Sequence, residues 1–105
     1  MKQPRNVSPS QSARYERDLF VAVVALQTTA EARAICRDLC TPAELEAMAD
    51  RWAVVGELRR GSPYRRVHEK TGVSITTVGR VARCLQAGHG GYETIAARLG
   101  NENEA

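Results

Sequence analysis

The 105-residue chain has no apolar run near the ~18 residues that a bilayer-spanning helix needs; its longest, residues 19–26, is eight. Its opening, Met1-Lys2-Gln3-Pro4-Arg5, lacks the apolar segment of a secretory signal. These absences point to a cytoplasmic protein with no membrane partner. Cysteine is scarce and odd in number: Cys36, Cys40 and Cys84. In a reducing compartment that argues against a disulfide framework. Cys36 and Cys40, four apart, share a helical face and could join His68 and His89 around zinc. Zinc sites use tighter paired spacing, however, and only one such pair exists. The three cysteines are therefore expected as small buried hydrophobes, with no metal and no cofactor. Alternating strand patterns, internal repeats and a glycine-rich phosphate loop are all missing. Neither histidine has a Cys, Ser or Asp partner at useful spacing, and the carboxylates are scattered, which argues against an enzyme.

What the chain does have is basic charge in one place. Residues 59–83 contain seven cations (Arg59, Arg60, Arg65, Arg66, Lys70, Arg80, Arg83) against the single acid Glu69, a local +6 in 25 residues. The remaining 80 residues carry eight cations and eleven acids. Thirteen of the 15 cations are arginine, whose planar fork suits phosphate and base edges. A basic island on a mildly acidic body is a nucleic-acid footprint.

The patterning is helical throughout, which predicts an all-α fold. Residues 1–10 read as a flexible polar tail, 11–99 as one helical domain and 100–105 as a polar tail. The first helix, about 11–27, is apolar all the way round over residues 19–26. A helix without a polar face must be surrounded, and a chain this short has few elements to surround it. An interlocked homodimer explains this economically; a central element of a monomer is the alternative. A second helix, capped by Thr28 or Thr29, runs to about Cys40 with Ala30, Ala34, Ile35 and Leu39 inward. Thr41-Pro42-Ala43-Glu44 is a capping box with proline at the first helical position. The helix it opens buries a stripe of Leu45, Met48, Trp52 and Val55, widened by Val54 and Leu58, and ends at Gly61. Ser62 then caps a short helix from Pro63 to about Thr71. Gly72 stops it, and Ser74 caps a further helix from Ile75 to Gln86. A last short helix covers about 92–99.

Two short helices around Gly72-Val73-Ser74 form a helix-turn-helix over residues 63–86. Gly72 supplies the left-handed turn residue and Val73 plugs the gap between the helices. Val67, Val78, Val81 or Ala82, and Leu85 fix the crossing. One departure is His68, which stands where such motifs often have a small residue. Ser74, Ile75, Thr76, Thr77, Gly79, Arg80 and Arg83 are left to face DNA, with Arg80 and Arg83 able to fork onto guanine or phosphate. Arg65, Arg66 and Lys70 on the preceding helix are placed for backbone phosphates. Gly79 in mid-helix carries a propensity cost of ~1 kcal/mol. Close approach of the helix to DNA and tight internal packing both account for it.

The run from Thr41 to Met48, Arg51, Val55-Gly56-Glu57-Leu58-Arg59-Arg60-Gly61 and Ile75-Thr76-Thr77-Val78-Gly79-Arg80 resembles the Trp repressor superfamily. Cys84-Leu85-Gln86 and Gly90-Gly91-Tyr92 are similar to its YerC/YecD branch. The likeness spans residues 12–99. It implies a Trp-repressor-like helical bundle interlaced as a homodimer on double-stranded DNA. The implied function is transcriptional regulation, commonly repression of an amino-acid biosynthesis operon through a palindromic operator. It further implies an effector site for a small molecule such as an amino acid, to which Arg51, Arg80, Thr77 and Thr41 correspond. Two departures stand out: Val81 replaces a glycine that lets an indole approach the backbone, and Cys84 replaces a serine. Both argue against tryptophan as the effector. A helix-turn-helix adaptor that binds protein rather than DNA is the alternative, against which the basic island speaks, since interface centres are depleted in charge.

Overall fold

The computed structural model describes residues 6–104, with side chains as far as Gly100. Six helices are present among these residues: α1 (Pro9–Val24), α2 (Thr29–Leu39), α3 (Pro42–Arg59), α4 (Tyr64–Thr71), α5 (Ile75–Ala87) and α6 (Gly91–Glu104). The chain divides into two compact units at Cys40/Thr41.

In the first unit, α1 starts two residues earlier than its sequence pattern suggested. Ser8 accepts from the Gln11 amide at 3.1 Å and Pro9 takes the first helical position, as Thr41 and Pro42 do at the start of α3. Residues 1–5 of the expected tail lie outside the described residues. The helix also stops sooner, at Val24. In α2, Thr28 is the cap, accepting from the Glu31 amide, while the Glu31 carboxylate accepts from the Gln27 amide at 2.9 Å. No residue of α1 or α2 is buried. Phe20 is 55% exposed and Val24 84%. Ala30, Ala34 and Leu39, expected inward, are exposed, and Ile35 is half-buried.

The second unit contains the core. The Thr41 capping box forms in full: Thr41 Oγ1 accepts from the Glu44 amide at 3.1 Å, and Glu44 Oε1 accepts from the Thr41 amide at 2.7 Å. At its other end α3 closes through Gly61, whose φ of 83° lets the chain turn back. The Gly61 amide donates to Leu58 O and the Ser62 amide to Glu57 O, the paired bonds of a Schellman ending. The expected role of Ser62 is corrected by the start of α4, which lies one residue later than its pattern suggested. Pro63, not Ser62, flanks α4, and no side chain caps that helix.

α3 packs against α4, α5 and α6. Val54, Val55, Val67, Val78 and Val81 are all but completely buried, joined by Val73 and Ala96, with Leu58, Leu85 and Tyr92 packed around them. Beta-branched valines fill short interhelical gaps with little side-chain entropy to lose. The α3 stripe thus lies closer to Val54 and Val55 than expected: Met48 is exposed, and Trp52 is 40% exposed rather than core. Trp52 and Tyr92 sit with ring centroids 6.3 Å apart. With Ile95, Leu99 and Cys84 they border an open apolar groove of about 680 Å³. Cys84 is therefore exposed, and Cys36 and Cys40 are half-buried, contrary to the expectation of three core cysteines. Finally, α6 continues through Gly100 to Glu104, where a polar tail was expected.

Candidate nucleic-acid interface

The turn between α4 and α5 is built from a short run of mutually dependent bonds. Gly72 ends α4 at φ 75°, its amide donating to His68 O at 2.9 Å. Thr71 Oγ1 donates to Val67 O at 2.7 Å and accepts from the Val73 amide at 3.1 Å. His68 Nδ1 lies 2.6 Å from Val73 O; a carbonyl only accepts, so this nitrogen carries the proton. Between these bonds Val73 drops into the core. Ser74 accepts from the Thr77 amide at 3.2 Å and donates to Thr77 Oγ1 at 3.1 Å, opening α5. The histidine that departs from the small-residue pattern is thus a brace across the turn. No sequence signal pointed to it.

Val67 on α4 and Val78 on α5 are buried completely in the core that these helices share with α3. Their burial turns the opposite face of α5 outward. Ile75 is 47% exposed; Ser74, Thr76, Arg80 and Arg83 are exposed as well. Gly79 is half-exposed in the middle of this strip, and Thr77 is half-buried beside it. On α4, Arg65, Arg66 and Lys70 are all exposed.

Ion pairs sort the basic island into two groups. Arg59 forks onto Glu93 with Nε and Nη2 at 3.0 and 2.9 Å, tying α3 to α6. That fork holds the Glu93 carboxyl below its ordinary range and raises the Arg59 guanidinium further. Glu57 receives Arg60 at 2.8 Å and Lys70 at 3.3 Å. Lys70, expected to be a phosphate contact, therefore already has an internal partner. Among the described residues Arg65, Arg66, Arg80 and Arg83 make no ion pair, and these four charges are left for an outside anion.

The residues matched to an effector site are less concentrated. Arg51 is half-buried on α3 and makes no ion pair with Asp50 or Glu46; Arg80 stands on α5, which packs against α3. Thr41 is ten residues before Arg51 on one helix, about 15 Å along its axis, too far for both to hold one small ligand within a chain. Thr77 contributes to the Ser74 cap. Val81 is 1% exposed, its branched side chain committed to the core. Among the described residues no cluster of three or more His, Cys, Asp or Glu could hold a metal ion, and no helix is long and apolar enough to cross a membrane.

A braced helix-turn-helix that presents unpaired arginines on its second helix is the working part of a DNA-binding regulator. The model of the Trp repressor protein family matches residues 16–100, and the chain belongs to that family, in its YerC-type branch. It is 36% identical over 81 residues to the uncharacterised protein YerC of Bacillus subtilis, covering 77% of this chain and 78% of the relative. A TrpR-like protein from Eubacterium eligens shares the fold with a TM-score of 0.78 at 36% identity, over 83% of this chain and 90% of that one. A candidate Trp repressor from Staphylococcus aureus gives 0.79 at 27% identity, over 90% and 96%. The family is regulatory and non-enzymatic.

Proposed function

We propose that the chain acts in the cytoplasm as a homodimeric, sequence-specific repressor, binding a palindromic operator and controlling an amino-acid biosynthesis operon. The observation that carries this reading is the outward strip of α5, where Arg80 and Arg83 stand exposed and unpaired beside Ile75 and Thr76. Arginine forks read guanine, and the Ile75 and Thr76 methyls meet thymine methyl groups. Arg65 and Arg66 contact phosphate and set the register without choosing sequence. In a dimer the two α5 helices enter successive major-groove faces about 34–36 Å apart. The apolar residues left uncovered on α1 support the dimer. A small effector other than tryptophan, held near Arg51, Thr77 and Arg80, is compatible with the buried Val81. Thr41 joins that pocket only from a second copy.

The test is binding over a salt series to the duplex upstream of the chain's own gene. A contact driven by arginine loses affinity steeply with salt. Undetectable binding at every salt concentration sinks the reading. Arg80→Ala is expected to relax sequence choice, whereas Arg65→Ala weakens binding to all duplexes about equally and flattens the salt slope.

A further inference from the structure

Gly79 weakens α5, and nothing among the described residues requires it. Its backbone is ordinary right-handed helix; the positive-φ glycines among the described residues are Gly61, Gly72 and Gly90. A Cβ at position 79 would meet one atom, Nη1 of Arg83 at 3.6 Å, an ordinary contact with the far end of a flexible side chain. Gly88, by contrast, has the Cys84 carbonyl oxygen 2.5 Å from where its Cβ would stand. Internal packing therefore forbids a side chain at 88 but not at 79. Packing among the described residues therefore does not account for Gly79.

Residue 79 is one helical turn after Ile75 and Thr76 and one turn before Arg83, in the centre of the exposed strip. The missing side chain leaves a notch floored by main chain and edged by Ile75 and Arg83. Arg83 extends back over the notch, toward the N-terminal half of α5 that enters the groove in such motifs. A major groove about 12 Å wide leaves little room beside a helix, so the side chain at the centre of the contact sets the standoff.

We propose that Gly79 is a specificity-determining residue, its notch admitting a base edge of the operator against the α5 main chain. The chemistry of the notch favours an apolar group there, such as a thymine methyl, with Arg83 reaching the neighbouring base or phosphate. This inference rests on the DNA-binding reading above.

The experiment selects duplexes from a randomised library with the wild-type protein. The best duplex and an unrelated one of equal length are then titrated with wild type, Gly79→Ala, Gly79→Ser and Gly79→Val. Gly79→Ala is expected to raise the melting temperature by about 4–8 °C, as a better helix former does in a domain of this size. It should nonetheless lose about tenfold or more in affinity for the selected duplex, the scale of one mismatched base pair. Affinity for the unrelated duplex should stay within about twofold, and the specific loss should grow from Ala through Ser to Val. A selection that enriches no sequence overturns both the DNA-binding reading and this inference. Enrichment followed by equal affinity of Gly79→Ala and wild type overturns the notch alone. So does a loss that tracks helix propensity rather than side-chain size.

Discussion

Single residues decide how the reading head is held. His68 spans the turn to Val73 O, so His68→Ala should cost about 1 kcal/mol, the net value of an ordinary hydrogen bond. Amide exchange should rise at Val73 and through the first turn of α5 while α3 keeps its protection. Unchanged exchange at the turn would show the brace to be idle. Glu44 offers a second check. Its carboxyl is held below its ordinary value, first by the Thr41 amide and then by the Thr41 side chain. A depressed carboxyl stabilises the fold fully above its unfolded value, about pH 4.3, and loses that contribution as pH falls through the folded one. Glu44→Gln should remove that part of the acid limb in pH-dependent unfolding and leave the curve above pH 6 parallel to wild type. An identical acid limb in both proteins would rule out the carboxylate as a source of pH dependence.

At the scale of the element, the helix-turn-helix owes its geometry to valines. Val67 and Val78 have no exposed surface, and the outward strip of α5 exists because its other face is anchored there. Val78→Ala removes two methyl groups from a filled space and should cost about 2–3 kcal/mol, counting lost burial and the cavity left behind. The urea midpoint should fall at constant slope. Operator affinity should fall with it even when the protein is fully folded, because the crossing of α4 and α5 is no longer fixed. Full retention of affinity would locate the anchor elsewhere.

At the scale of the molecule, the first unit and the second behave differently. The second buries a valine core of its own; α1 leaves Leu19, Phe20, Val21, Val23 and Val24 exposed. In the proposed homodimer these apolar residues of α1 form the contact between copies. Wild type should sediment at twice the 11.5 kDa chain mass. Val21→Asp, 64% exposed in one chain, should sediment as a monomer and keep the helices of the second unit. Its affinity for a full palindrome should drop to that for a single half-site. A Val21→Asp protein with the wild-type mass would free α1 from the dimer contact.

Much of this was legible in the residue order because helix ends are local events. Thr41-Pro42-Ala43-Glu44, Gly61, Gly72 and Ser74 act within a few residues of themselves, and each marks a real boundary. The basic island and the outward residues of α5 followed from charge counting and the 3.6-residue period. Where several groups compete, the order of residues was insufficient. Ser62 looked like a cap, but α4 begins at Tyr64, one residue too late for it, and Lys70 looked free until Glu57 came near it. Trp52 fitted a helical stripe, yet Val54 and Val55 took the core. Gly79 admitted two explanations from its place in the chain, and only the room that a Cβ would find there removed one. Bonds between neighbours along a helix are written in sequence spacing. Which face is covered, and which cation has a partner, depends on atoms that folding brings from elsewhere.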